Sequence, residues 1–419
     1  MRRTIPGSKV VVGVVILLAI TIAILVTSLS KGALGPIRLR LPVGNRVPAI
    51  SLGERHGLVL ASDGSLWSWG SDYLGWPVLG LGDHAKPSTR LRQVGHETNW
   101  ISISAAMSHN LGIKADGTLW TWGESVQGRL SGAKAFSAPV PAAPGHDWKQ
   151  AAAGGIHSVA LKKDGTLWGW GDNWAGSVGI DSHDGSSVPQ QIGSATNWVR
   201  VWAGILETVA LQSDHSLWYW GENPNPALAQ GVGQIWEPMP INSDTNWADV
   251  GFGVNTVLAI KADGTLWAWG RQAHVYTGAS DTDQDATPAR VGTDSDWQSL
   301  SASAGWWCQG LTKKDGSLWL MDASDGQPNG PRPPYKPLRF RRIEFQKPCL
   351  AYAGGAVHAA APGDHRPIGV ILTPDGEVWT WGMVLGDPPS FISYLSSRAS
   401  RSYAPPPVLR ERPWRLRNI

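Results

Sequence analysis

Hydrophobic and polar residues alternate on both sides of a recurring Asp-Gly pair, as in HSVALKKDGTLWGW at 157–170. A period of two is typical of β-strands, whose successive side chains point to opposite faces. The Asp-Gly pair suits the positive φ angles of a two-residue type I′ turn. Each copy of the pattern therefore predicts a β-hairpin with its turn at Asp-Gly.

The pattern D-G-x-L-W-x-W-G occurs seven times, three of them with substitutions, at spacings of 48 to 60 residues. Such a period is found in propeller blades and solenoids. A Trp-led segment upstream and a segment rich in Pro and aliphatic residues downstream supply two further strands per copy. Four strands in each of seven units predict an all-β, seven-bladed β-propeller. The copies begin at Asp63, Asp116, Asp164, Asp214, Asp263, Asp315 and Asp375.

Thirteen of the 25 tryptophans lie in these copies, mostly as pairs two residues apart on one strand face. The residue between them is usually small, so each sheet has a bulky face and a slim face that stack on neighbouring sheets. We interpret these tryptophans as interblade packing residues and not as a ligand-binding row. They are Trp67, Trp69, Trp120, Trp122, Trp168, Trp170, Trp218, Trp220, Trp267, Trp269, Trp319, Trp379 and Trp381.

The segment AGGIHSVALKKDGTLWGWGDN at 153–173 resembles a repeat of the regulator of chromosome condensation family, in the form found in bacterial proteins. The resemblance extends over roughly residues 36–419 and implies a seven-bladed propeller. Kelch repeats have a similar period, but the Trp pair directly after Asp-Gly favours the first family. The family's Gly-Gln-Leu-Gly segment is degenerate here, which indicates remodelled loops after the Trp pairs.

A run of 20 uncharged residues, Val10–Leu29, has the length that a helix needs to cross a bilayer. Three basic residues precede it, which favours a cytoplasmic tail and an external propeller. The alternative is a cleaved signal peptide, whose apolar region is usually shorter. We expect a cytoplasmic tail at 1–9, a transmembrane signal anchor at 10–29, a linker at 30–35 and the propeller at 36–419. Segments at both ends of that propeller, 36–44 and 404–419, are expected to close the ring.

The formal net charge is +3, and no run of five or six like charges marks a nucleic-acid-binding tail. The basic segments at 339–342 and 410–417 are interpreted as solvated surface. Two cysteines, Cys308 and Cys349, fit neither a disulfide scaffold nor a zinc site, and whether they pair stays open. Nucleic acid is therefore not the expected partner.

Candidate chemistry is sparse. His56, His109, His157 and His358 are assigned to one repeat position, but equivalent positions lie around a ring and cannot share one metal ion. The repeat Asp residues are separated in the same way, and neither a G-x-S-x-G elbow nor a phosphate-binding glycine loop is present. We expect no catalytic residues, no metal and no cofactor.

Some aromatic residues fall outside the repeat pattern, and most of them follow a Trp pair. Exposed Trp and Tyr residues are common anchors of protein interfaces. The alternative is that they pack over blade edges. The partner-binding candidates are Tyr73, Trp76, Trp174, Trp236 and Tyr276.

These observations predict a membrane-anchored, extracytoplasmic and non-catalytic protein-binding module. A carbohydrate or cell-wall binding protein or hydrolase is the alternative, because aromatic loops also stack on sugars. Some relatives implied by the resemblance are exchange factors for a small GTPase on chromatin. The expected membrane anchor argues against that role here.

Overall fold

The structure is a computed structural model. It describes residues 41–72, 75–83, 86, 88–124, 135–222, 233–253, 256–270, 273–277, 287–301, 310–322, 339–343, 345, 347–358, 365–381 and 414–415.

Seven antiparallel sheets of four strands follow one another along the chain, each in the order of its strands. The prediction of a seven-bladed, all-β propeller is thereby confirmed. Blades 1 to 4 comprise β1 Ala49–Leu52, β2 His56–Leu60, β3 Leu66–Gly70, β4 Ser88–Gln93, β5 Trp100–Ala105, β6 His109–Lys114, β7 Leu119–Glu124, β8 Ala135–Ala143, β9 Trp148–Ala153, β10 His157–Lys162, β11 Leu167–Gly171, β12 Ser186–Gln191, β13 Trp198–Ala203, β14 Glu207–Gln212, β15 Leu217–Glu222 and β16 Gln234–Pro240.

Blade 5 also contains a short helix between its third and fourth strands. Blades 5 to 7 comprise β17 Trp247–Gly253, β18 Thr256–Lys261, β19 Leu266–Trp269, α1 His274–Thr277, β20 Ala289–Val291, β21 Trp297–Leu300, β22 Gly310–Lys313, β23 Leu318–Asp322, β24 Arg339–Arg342, β25 Ala351–His358, β26 His365–Leu372, β27 Val378–Trp381 and β28 Trp414–Arg415.

The Asp-Gly hairpins differ from the predicted turn type. In blade 3 the backbone N–H of Gly165 donates to the Lys162 carbonyl, and Gly165 has a φ of +81°. Asp164 has no positive φ, so the connection is a three-residue loop with a left-handed glycine, not a two-residue type I′ turn. The Asp side chain favours this geometry because it accepts the Thr166 N–H. His215 takes the glycine position of blade 4 with a φ of +63°.

The strand directions define two ends of the ring. Strands alternate in direction within each blade, so all seven turns between the second and third strands lie at one end, which we call the turn face. The loops between first and second strands and between third and fourth strands lie at the opposite end, which we call the loop face. Neighbouring first strands are also joined, for example by Ala105 N–H to Ser51 Oγ at 2.9 Å and Ala153 N–H to Ser104 Oγ at 3.0 Å.

Described residues from both ends of the propeller take part in closing the ring. The Leu41 N–H donates to the Gly376 carbonyl at 3.2 Å, and Leu41 packs in one hydrophobic cluster with residues of blades 1 and 7. Near the carboxyl end, β28 pairs with β27 as the fourth strand of blade 7. Several outer strands carry prolines, such as Pro139 and Pro141 in β8, which limit edge-to-edge pairing with other chains.

The two tryptophans of each pair differ in burial. The second Trp is buried in blades 1 to 5 and packs against the preceding blade; Trp122, for example, lies in one cluster with Leu58 and Leu60. The first Trp is only partly buried. In blades 2, 3, 5 and 6 its neighbours are the Trp that opens the first strand and a turn-face Lys, for example Trp148 and Lys162 beside Trp168. The Trp381 side chain lies outside the described ones.

Residues 10–29 lie outside the described part of the chain, so the transmembrane anchor stays a prediction. Within the described residues, no helix combines the length and apolar character needed to cross a membrane. Cys349 is a free thiol, and burial raises its pKa to about 12. Cys308 lies outside the described residues.

Candidate functional site

The repeat Asp residues are structural anchors of their own turns. In blade 3 the Asp164 carboxylate accepts hydrogen bonds from the Thr166 N–H at 2.9 Å and the Thr166 hydroxyl at 2.7 Å. Trp168 Nε1–H donates to the same hydroxyl oxygen at 2.9 Å. The Thr166 hydroxyl and N–H hold the pKa of Asp164 below its usual value. The side chains of Asp164, Thr166 and Trp168 are thus hydrogen-bonded to one another within the turn.

Turn-face lysines stack on the tryptophans of the same blade. Lys162 Nζ lies 4.9 Å from the Trp148 ring and 4.7 Å from the Trp168 ring, and 3.2 Å from the Asp147 carboxylate. Each such cation–π contact is worth about 0.5–1 kcal/mol at an exposed site. The same arrangement recurs at Lys114, Lys261 and Lys313.

Three repeat histidines tie each blade to the next near the loop face. Their Nε2 atoms lie within hydrogen-bonding distance of a polar side chain of the following blade. Burial lowers the pKa to about 4 for His56 and about 3 for His109 and His157. They are therefore neutral at pH 7 and structural. The pairs are His56 with Asn110 at 2.6 Å, His109 with Ser158 at 3.0 Å and His157 with Thr208 at 2.8 Å.

His358 was wrongly assigned to this position. It lies at the end of the first strand β25 and pairs with His365 across the inserted segment. The register places Ile368, not His358, where the other blades carry the histidine, because Gly369 pairs with Trp381 as Gly57 pairs with Trp69. Within the described residues, no group of three or more His, Cys, Asp or Glu side chains is arranged to hold a metal ion.

In blade 4, Glu207 replaces the repeat histidine. At the position of the next blade that corresponds to Asn110, the strand register places Val257, whose side chain has no polar group. One carboxyl oxygen accepts the Leu206 N–H at 2.9 Å. Burial raises the pKa of Glu207 to about 7.

The partner-binding candidates lie in different environments. Trp174 is 52 % exposed, Trp76 is partly buried, and Trp236 is partly buried on the fourth strand β16. Tyr276 is 3 % exposed and packs in a hydrophobic cluster, so in this structure it is a core residue and not a surface anchor. Tyr73 lies outside the described residues.

The loop that carries Trp174 is held by a buried asparagine. Asn173 Nδ2–H donates to the carbonyls of Ile180 at 3.0 Å and Ser182 at 2.6 Å, and its Oδ1 accepts the Val178 N–H at 2.8 Å. Asn173 and Ala175 are fully buried on either side of the exposed Trp174. The 172–185 loop therefore presents one indole from a fixed backbone.

The same loop is fastened to blade 4. The Ser177 hydroxyl donates to the Leu206 carbonyl at 2.7 Å, and the Ser177 carbonyl accepts Trp220 Nε1–H at 3.0 Å and the Thr208 hydroxyl at 2.8 Å. Further along the loop, the His183 ring lies 3.9 Å from the Trp236 ring, centroid to centroid.

We call Trp174, Asp181, His183, Asp184 and Trp236 the blade 3–4 rim. The sequence predictions included the two tryptophans of the rim but missed His183. They also missed Asn173 and Ser177, which hold the loop in place. The sequence feature that indicates an ordered turn here is Asn-x-x-Gly at 173–176, because Asn and Gly are typical turn residues.

Two stretches of the chain, 49–75 and 148–175, match the family model described as Regulator of chromosome condensation (RCC1) repeat. They cover parts of blades 1 and 3, and the other blades repeat the same strand plan. The chain is an RCC1-type β-propeller. Human Protein RCC2 is 29 % identical over 120 residues, which are 27 % of this chain and 22 % of that protein. The chain spans less than a quarter of the length of the curated relatives that it matches.

Two solved structures resemble this RCC1-type propeller in fold. Prp20p from Saccharomyces cerevisiae, described together with its binding to Gsp1p and histones, has a TM-score of 0.60 at 16 % identity, covering 73 % of this chain and 79 % of that one. Human WBSCR16 has a TM-score of 0.59 at 16 % identity, covering 76 % of this chain and 87 % of that one. At this identity the likeness concerns the fold alone.

The RCC1-type propeller also has a cavity of about 350 Å³ at the turn face, lined by residues of blades 4 to 7. Arg200 lies there and donates to the Ala248 carbonyl at 2.8 Å and the Asp249 carboxylate at 3.0 Å. The second Asp249 oxygen accepts the Leu300 N–H at 2.9 Å, so this carboxylate connects three blades. Burial raises the pKa of Asp249, although Arg200 opposes the shift. Both charged residues of this cavity, Arg200 and Asp249, therefore form hydrogen bonds that connect blades.

Proposed function

We propose that this propeller is a protein-binding module that docks a partner on the blade 3–4 rim. The observation that carries the proposal is Trp174, whose side chain is 52 % exposed between two fully buried neighbours. Large exposed indoles on fixed backbones act as interface anchors because little conformational entropy is lost when they are covered. Specificity then depends on one loop, while the repeated blades supply the rigid support.

The fold context is consistent with this proposal. Prp20p, a protein of the same fold, is described with its binding to Gsp1p and histones. That description applies to Prp20p.

We also propose that residues 10–29 anchor the propeller in a membrane, with the blades outside the cytoplasm. The support is the uncharged 20-residue run and the basic residues before it. Protease added to intact cells that have no outer membrane should digest the propeller. Protection that persists until the membrane is broken would reverse the orientation.

The docking proposal is tested by capture of a partner with the full chain in detergent, followed by affinity measurements with the purified partner. Trp174→Ala should weaken binding at least about 30-fold, which corresponds to a hot-spot loss of about 2 kcal/mol. Leu350→Ala is the matched control, because it removes an exposed apolar side chain near the turn face. Equal affinities for the parent and Trp174→Ala would refute docking on the rim. A glycan-array signal lost in Trp174→Ala would instead support the carbohydrate alternative.

A further inference from the structure

Charge is unevenly distributed along the chain. The whole protein has a formal net charge of +3, but residues 164–260 contain ten carboxylates and a single cation, Arg200. Arg200 forms an ion pair with Asp249 near the turn face, so its charge is balanced there. Blades 3 and 4, residues 148–240, contain eight carboxylates against four cations, so they carry a net negative charge on a mildly basic protein.

Three exposed carboxylates lie at or next to the blade 3–4 rim. Asp181 and Asp184 are exposed in the 172–185 loop, and Glu237 is exposed next to Trp236 on β16. Within the described residues none of these three forms an ion pair, whereas turn-face carboxylates such as Asp147 and Asp244 pair with lysines.

Acidic and aromatic groups lie together in the same loop. Asn173 contacts the carbonyls of Ile180 and Ser182, which brings Asp181 back beside the residue that precedes Trp174. Asp184 follows His183, whose ring stacks on Trp236. An exposed indole in the same loop as carboxylates that form no ion pair among the described residues is suited to a cation, which gains from both the ring face and the negative charge.

The turn face provides an internal comparison. There, each of four lysines lies over two tryptophans and pairs with a carboxylate of its own blade. The blade 3–4 rim has the tryptophan and the carboxylates, and in the described part of the chain no lysine or arginine pairs with those carboxylates. We propose that a Lys- or Arg-bearing segment of the protein partner supplies the missing cation and packs on Trp174 between Asp181 and Asp184. This inference rests on the proposed docking function.

The test begins with a random 12-residue peptide library displayed on phage and selected on the full chain in detergent. Selected peptides should be enriched in Lys and Arg relative to the library. The affinity of the strongest peptide should fall at least about tenfold with Trp174→Ala and about fivefold or more with Asp181→Asn/Asp184→Asn. Added salt should weaken its binding to the parent more than to the double variant.

Asp147→Asn is the control for the loss of a carboxylate on the opposite face, and it should change the affinity by less than about twofold. Peptides that are neutral or acidic, or an affinity unaffected by Asp181→Asn/Asp184→Asn, would overturn the cationic partner. If Trp174→Ala still weakens binding in that case, docking on the rim stands and only its charge chemistry is wrong. If neither variant changes the affinity, both proposals fail. If no peptide is enriched, the result counts against the cationic partner.

Discussion

Replacement of Trp220 by alanine tests the claim that the second tryptophan of each pair joins the blades. Trp220 is fully buried in the cluster that spans blades 3 to 5, and its Nε1–H donates to the Ser177 carbonyl at 3.0 Å. Truncation of a buried Trp costs about 3–5 kcal/mol through lost transfer energy and the cavity left behind. The lost hydrogen bond adds about 1 kcal/mol. The Ser177 carbonyl keeps the Thr208 hydroxyl as a donor, so no orphaned acceptor increases the cost further.

We therefore expect Trp220→Ala to lower the free energy of unfolding by about 4–6 kcal/mol, measured by guanidinium denaturation followed by circular dichroism. Trp218→Ala is the matched control on the same strand. Trp218 is partly exposed and stacks edge-on against Trp198 with ring centroids 5.8 Å apart, so its loss should cost about 2 kcal/mol. If Trp218→Ala is as costly as Trp220→Ala, burial between blades is not the source of the stability.

Three further predictions concern titration and turns. His157 has a pKa lowered to about 3, so the unfolded state binds more protons below about pH 6.5; the free energy of unfolding should fall with acidification, and His157→Gln should flatten that dependence. Glu207 has a pKa raised to about 7, so its own contribution has the opposite sign and decreases as pH rises from about 4.5 to 7; the stability of Glu207→Gln relative to the parent should therefore increase over this range, and a constant difference would contradict the assignment. Gly165→Ala should cost well over 2 kcal/mol in denaturant unfolding, since its Cβ would lie 2.1 Å from the Thr196 carbonyl oxygen, whereas Gly193→Ala, with a positive φ but open space, should cost about 1 kcal/mol. Equal costs at the two glycines would refute the steric argument.

Local sequence was sufficient to predict the blades. Each copy of D-G-x-L-W-x-W-G combines a strand alternation with a turn residue pair, and these signals act over fewer than ten residues. Seven copies at spacings of 48 to 60 residues then determine the number of blades, because each copy can bury its faces only against its neighbours. The turn type was predicted wrongly, since the Asp side chain bonds to the residue after Gly and this favours a longer loop.

The candidate site could be predicted only in part. The sequence marks Trp174 and Tyr276 equally as aromatic residues after a Trp pair, yet Trp174 is exposed and Tyr276 is buried in a hydrophobic cluster. The difference arises from what the surrounding loop encloses, which depends on contacts with the next blade. The stacking of His183 on Trp236 has the same origin, because the two rings belong to different blades and lie more than 50 residues apart in the chain.

The sequence by itself determined the strand pattern, the seven-fold repeat and the acidic character of the segment from 164 to 260. Only the tertiary structure decided which side chain of the next blade pairs with each repeat histidine and which aromatic residue reaches solvent. The physical reason is the separation along the chain over which each interaction acts. Strand alternation and turn preference act between chain neighbours, whereas burial and hydrogen bonding between blades join residues about 50 positions apart, as His56 and Asn110 do.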